Sequence, residues 1–261
     1  MIGILFGLAI YNDVLIDIRF PRVFYKKLLD EKIELNDLQD IDSQMHKNLL
    51  FLLNYTENNL EDTLGLSFEV EVENFGEIHA IELKEGGKNI MINQENKKEY
   101  VDLYLDWKFN KSIQNFFNAL YKGFYRVADK SIFKIIDSKE LELIICGKED
   151  LNFEDLEKGS ICSDGYTEES LTVKHFWEVI KDFDDNLKKK FLFFLSGCDR
   201  APVKGLTNLR LIIGRQGPDS DKLPTAHTCF NYLLLPDYQN KEKLKKLLLI
   251  SIENSEGFGL M

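Results

Sequence analysis

The sequence predicts an α+β protein of two lobes, and three observations lead there. Long stretches carry apolar residues at three- and four-residue spacing, the period of helices packed along one side. Between them, residues 64–83 alternate apolar with polar or small residues, the period of strands. Past the middle, Gly147-Lys148-Glu149-Asp150 breaks the apolar pattern and reads as a hinge between lobes, although a plain helix-ending turn fits the same residues.

Taken in order, Ile2 to Tyr11 is apolar throughout and reads as a helix buried on most sides, so the chain is expected to start inside a domain. Val14 to Phe20 is apolar again, and Pro21 punctuates it before Val23 to Leu29. From Ser43, the apolar positions Met45, Leu49, Leu52 and Leu53 predict a helix. Leu64, Leu66, Phe68, Val70 and Val72 predict a strand, and Ile78 to Leu83 a second one before the turn Gly86-Gly87. These elements make a compact α+β insert over about 30–93. Helices are expected over 95–107, 112–127 and 138–146, the last with Ser138 as start and Gly147 as stop. Beyond the hinge, 173–183 and 185–196 read as a helical hairpin closed by Gly197, 209–214 as a strand and 215–222 as a loop. A cysteine-bearing loop and the apolar run Tyr232 to Leu235 follow, then a helix over 241–253.

Composition narrows the function. The chain has 261 residues, 44% of them hydrophobic, enough for a sizeable core, and a formal net charge of −11. That balance, with no basic stripe against it, speaks against a nucleic-acid partner, because tracking phosphates needs concentrated Lys and Arg. The apolar opening is too short to span a bilayer and has neither a basic leader nor a cleavage site, so no membrane partner is expected. Cys146, Cys162, Cys198 and Cys229 are widely spaced with no C-x-x-C pair, which fits a reducing compartment, the cytoplasm with the nucleus also open.

One thiol stands apart. Cys229 follows the proline-led loop Leu223-Pro224-Thr225-Ala226-His227-Thr228 and precedes an apolar run, a place both fixed and accessible. In extended backbone, residues two apart face one side, so His227 and Cys229 could share a surface where imidazole favours the thiolate. Against this, a lone cysteine is more often a small buried hydrophobe, and His227 an ordinary loop residue. No two histidines fall at helix-face spacing for a metal. Gly86-Gly87-Lys88 lacks the spacing of a phosphate loop. Neither a metal nor a cofactor is expected.

Several separated motifs together resemble the HECT-type ubiquitin ligases. Gly197-Cys198-Asp199-Arg200-Ala201-Pro202-Val203-Lys204-Gly205-Leu206, then Leu223-Pro224-Thr225-Ala226-His227-Thr228-Cys229-Phe230-Asn231, resemble that family's C-terminal lobe, as do Phe176-Trp177, Lys241-Glu242-Lys243-Leu244 and the tail Gly257-Phe258-Gly259-Leu260-Met261. Gly7-Leu8-Ala9-Ile10-Tyr11-Asn12 and Phe20-Pro21 resemble the middle of its N-terminal lobe. The likeness runs over essentially the whole chain and is strongest to the E6-associated-protein and HERC branches.

The resemblance implies a bilobal HECT-like domain: an N-terminal lobe over 1–147 lacking the family's first portion, a hinge at 148–150, and a catalytic lobe over 151–261. It implies that Cys229 accepts ubiquitin from a ubiquitin-conjugating enzyme as a thioester and passes it to a lysine of a protein substrate. His227 and Thr228 would orient the thiol or stabilise the oxyanion, and Phe258 would serve the lysine-transfer step. Met45, Leu49, Leu52, Tyr55, Leu64, Leu66 and Tyr100 match the family's groove for the conjugating enzyme; read without the resemblance, they are ordinary core. The alternative is a non-catalytic HECT fragment that binds conjugating enzymes as a regulator or competitor.

Overall fold

A computed structural model describes residues 1–255. The chain divides into two compact units: residues 1–7 with 20–139, and residues 8–19 with 140 onward.

The first unit takes in helices α1 (Ile2–Tyr11, continuing into the second unit), α2 (Arg22–Leu28), α3 (Ser43–Asn54) and α4 (Leu60–Leu64), a hairpin of strands β1 (Glu69–Asn74) and β2 (Glu77–Glu82), helices α5 (Lys97–Phe109) and α6 (Gln114–Phe124), and the start of α7 (Ser138–Cys146). Asp42 caps α3, its carboxylate accepting from the Met45 backbone N–H at 2.8 Å. At the hairpin turn, Phe75 and Gly76 both take positive φ (52° and 84°), the two-residue turn whose twist matches paired strands. Leu38, Leu49, Leu52, Leu60, Phe68, Ile92 and Val101 form one core between the hairpin and α3 and α5.

The strand expected from Leu64 begins only at Glu69, because Leu60–Leu64 closes a short helix whose cap, Gly65, sits at φ 56°. Helix α1 forms but is buried on one face only: Ile2, Leu5 and Tyr11 are 54%, 53% and 80% exposed. Its apolar composition is nearly uniform around the axis and could not say which face packs. Small residues decide it. A Cβ at Gly3 would lie 1.9 Å from the Leu120 carbonyl oxygen, so only glycine allows α1 this close to α6.

The second unit carries α8 (Phe153–Lys158), β3 (Ile161–Ser163), α9 (Leu171–Lys181), α10 (Asp185–Ser196), β4 (Ile212–Arg215), β5 (Thr225–His227), β6 (Tyr232–Leu235) and α11 (Lys241–Glu253). The sheet order is β3-β4-β6-β5, with β3, β4 and β6 parallel and β5 antiparallel to β6. Ile213 and Leu233 from the sheet meet Phe176, Val179 and Phe191 from α9 and α10 and Leu244 and Leu248 from α11 in one buried core. Asp184 caps α10 and Asn240 caps α11, each through its side-chain oxygen on backbone N–H groups. Helix α8 and strands β3 and β5 are additions to the elements expected above; each strand has three residues, too few to display a period.

Gly147 ends α7 at φ 75°, and Lys148 and Ala201 exchange backbone hydrogen bonds at 2.8 and 2.9 Å. A Cβ on Gly147 would sit 2.6 Å from the Ala201 carbonyl oxygen and 2.8 Å from Leu15 Cδ1. Gly147→Val therefore combines left-handed strain of about 1–2 kcal/mol with overpacking of about 1–3 kcal/mol. We expect a stability loss of about 3 kcal/mol, read as a lower urea midpoint with an unchanged slope.

Candidate functional site

Cys229 occupies a single 3-10 turn, Thr228–Phe230, between β5 and β6. The turn is braced from beneath by Asn231. That residue sits at φ 48°, where asparagine is tolerated better than other side-chain-bearing residues. Its Nδ2 donates to the Leu209 carbonyl at 2.8 Å, and its own carbonyl accepts from the Ile212 N–H at 2.9 Å, at the start of β4. The loop that carries the thiol is thus referenced to the central parallel strands. Cys229 is a free, exposed thiol on the rim of a cavity of about 440 Å³, shared with Leu15, Cys198, Arg200, Asn208 and Leu209.

His227 and Thr228 are exposed as well. Extended backbone stops at His227, so the two-residue alternation that would put its ring beside Cys229 does not continue through the turn. His227 instead faces Tyr232 across the β5–β6 ladder, ring centroids 6.3 Å apart, and the Tyr232 hydroxyl donates to Asp164. Among the described residues, no hydrogen bond joins His227 to Cys229. What the turn offers chemically is a free thiol exposed at the surface.

The other thiols differ sharply. Burial pushes the Cys198 thiol up to about 11 and also raises Cys162, with help from Glu168. Cys146 is buried and donates to the Ile18 carbonyl. Because the thiolate is the reactive form, a raised value leaves less of it at any pH below that value. Limited alkylation at pH 8 followed by peptide mass mapping should label Cys229 first, Cys162 more slowly, and Cys146 and Cys198 only on unfolding. Early labelling of Cys198 would contradict the burial described here.

In the first unit, the residues matched to a docking groove separate into groups. Met45, Leu66 and Tyr100 line a cavity of about 620 Å³ between β1 and α5. Leu49 and Leu52 are core residues, 3% and 2% exposed, while Tyr55 and Leu64 pack half-buried at the edge of that core. Tyr55 donates its hydroxyl to Asn59 at 2.8 Å. Tyr104 and Trp107 also line the cavity but were not singled out; they lie four and seven residues beyond Tyr100 on α5, one helix face that the helical period could have picked up. Phe258 lies outside the described residues.

Among the described residues, no group of His, Cys, Asp and Glu is arranged to hold a metal, and no helix is long and apolar enough to cross a membrane.

The whole chain, residues 1–261, matches the HECT-domain (ubiquitin-transferase) family, and it belongs to that family. Its relatives include a human protein, probable E3 ubiquitin-protein ligase HERC4, 39% identical over 261 residues that cover all of this chain and 25% of that protein. Another human protein, probable E3 ubiquitin-protein ligase HECTD2, is 41% identical over 274 residues, covering all of this chain and 35% of its own length. E3 ubiquitin-protein ligase pub3 of Schizosaccharomyces pombe is 38% identical over 267 residues, 99% of this chain and 33% of that one. The chain thus spans about a quarter to a third of the curated relatives it matches.

Proposed function

We propose that this chain is the catalytic HECT part of an E3 ubiquitin-protein ligase, with Cys229 as the ubiquitin carrier. The observation that carries the reading is the exposed thiol on a turn braced to the sheet, in a chain of this family. The Cys229 sulfur attacks the thioester carbonyl of a charged conjugating enzyme; a new S–C bond forms as the old one breaks, and the donor's thiolate leaves. A substrate lysine's neutral amine then attacks the Cys229 thioester, the amide forms, the cysteine leaves as thiolate, and the amine proton passes to a base. Exchange between thioesters is nearly balanced and amide formation runs downhill, so neither step requires ATP or a metal. Thr228 and His227, which precede Cys229 in the chain, are assigned to orient the thiol or stabilise the developing oxyanion, and backbone N–H groups of the turn are equally eligible to meet it.

On this reading the conjugating enzyme docks in the groove of Met45, Leu66 and Tyr100, with Leu49, Leu52, Tyr55 and Leu64 supporting its walls from the core. The hinge is assigned to 148–150, since sulfur-to-sulfur transfer needs near-contact between partners. Phe258 is assigned to the lysine-transfer step, and the cytoplasm is the proposed site of action. The test is incubation of the chain with ubiquitin-charged conjugating enzyme and a non-reducing gel. A ubiquitin adduct on the chain that disappears on adding thiol is expected. A folded chain that binds the conjugating enzyme yet forms no adduct would overturn the catalytic reading in favour of a binding-only regulator. In the same assay, Phe258→Ala should keep the adduct and slow its discharge to lysine; equal loss of both would remove Phe258 from that role.

A further inference from the structure

Among the described residues, strand β1 has a single partner. It pairs with β2 over six residues and, among the described residues, no strand lies on its other side. An unpaired strand edge presents a row of backbone N–H and C=O groups ready to take another strand. Here that edge opens on the groove. Glu69, Val70, Glu71, Val72 and Glu73 line the cavity consecutively, which a strand does when its edge rather than one face looks into the space. The opposite wall, from α5, carries Tyr104 and the half-buried Trp107, with Lys108 beside them in the sequence.

The two faces of this edge differ in chemistry. Val70 belongs to the core together with Tyr104, so the valine face looks toward α5. On the other face, Glu69, Glu71 and Glu73 stand with Glu82, the cross-strand partner of Glu69. Among the described residues, Glu69, Glu71 and Glu73 have no ion-pair partner. A second copy of β1 laid alongside would set carboxylate against carboxylate, an unfavourable cross-strand arrangement. The row therefore turns away the chain's own kind while favouring the opposite charge.

We infer that the open edge of β1 is a β-augmentation site for an extended peptide segment in which Lys or Arg alternates with apolar residues. The incoming strand extends the hairpin through backbone hydrogen bonds. Its apolar side chains lie over Val70, Val72, Tyr104 and Trp107, and its basic side chains lie along the glutamate row. The site stands on the hairpin geometry and does not depend on the ligase chemistry proposed for Cys229; because it opens on the groove proposed for the conjugating enzyme, the two ligands exclude each other there.

The probe is a short, capped, fluorescein-labelled peptide alternating lysine and valine, titrated with the full chain and followed by fluorescence anisotropy. Saturable binding is expected. It should weaken about tenfold for Glu71→Lys, an exposed position where charge reversal leaves the core untouched. It should also weaken between ~0.05 M and ~0.5 M salt. Two control peptides separate strand pairing from charge attraction: one with the same composition but lysines and valines in separate blocks, and one N-methylated on alternate amides. Both should bind at least about tenfold more weakly than the parent. Equal binding of the block or N-methylated peptide would overturn the assignment, as would full binding by Glu71→Lys or no binding of the alternating peptide.

Discussion

Cys229→Ala is expected to abolish the thiol-sensitive ubiquitin adduct completely while leaving the melting temperature within about a degree of the parent. The first half follows from the proposed chemistry: no other thiol combines exposure with a braced turn, and Cys198, at about 11 and buried, cannot substitute near neutral pH. The second half follows from position. An exposed side chain with no hydrogen bond among the described residues contributes little to stability, and such substitutions usually fall within about 0.5 kcal/mol. The measurement is a non-reducing gel beside a thermal melt on one preparation. An adduct that persists at parental level in Cys229→Ala would move the carrier role to another residue. A large drop in melting temperature would show that the turn bears structural weight its exposure does not suggest.

Leu52→Asp has a second large effect, and it falls on folding. Leu52 is 2% exposed in the core of the first unit, among Leu49, Leu60 and Phe68. Truncating such a leucine costs about 2–5 kcal/mol, and burying an unpaired carboxylate adds several more or forces its protonation. Total domain stability is usually about 5–15 kcal/mol, so most of it would be lost. Circular dichroism with urea titration should show the first unit unfolded or close to it. Leu66→Asp is the selective counterpart: Leu66 is 41% exposed and lines the groove, so it should weaken conjugating-enzyme docking with a near-parental melt. If Leu52→Asp folds normally, the core described here is wrong; if Leu66→Asp docks normally, the groove is not the docking surface.

The contrast between Leu52 and Leu66 also explains how far the amino-acid pattern could be read. Where a local signal has a local cause, the reading was close. Ser138 and Gly147 bracket α7 at its observed ends, because a start residue and a left-handed stop act within one turn. The α+β composition and the helices α3, α9, α10 and α11 were likewise legible from period alone. Period says which side of a helix is apolar, but not whether that side meets a core or a groove. Leu49 and Leu52 share the apolar stripe of α3 with Met45, and only the fold separates them. The His227–Cys229 relation was not legible for a related reason. A three-residue turn breaks strand alternation, and it is sustained by Asn231 reaching Leu209, twenty-two residues away.

That bracing bears on rates. Cys229 needs no local opening before it meets a reagent or a partner, since it is already outside and its turn is tied to strand β4. Its chemistry can therefore proceed from the native basin, with the shallow temperature dependence of an accessible thiol. Cys198, on the same cavity but 5% exposed, reaches solvent only through excursions of the surrounding structure, whose frequency climbs steeply on heating. Two cysteines of one lobe thus run on separate clocks, one set by encounter and the other by the breathing of the fold.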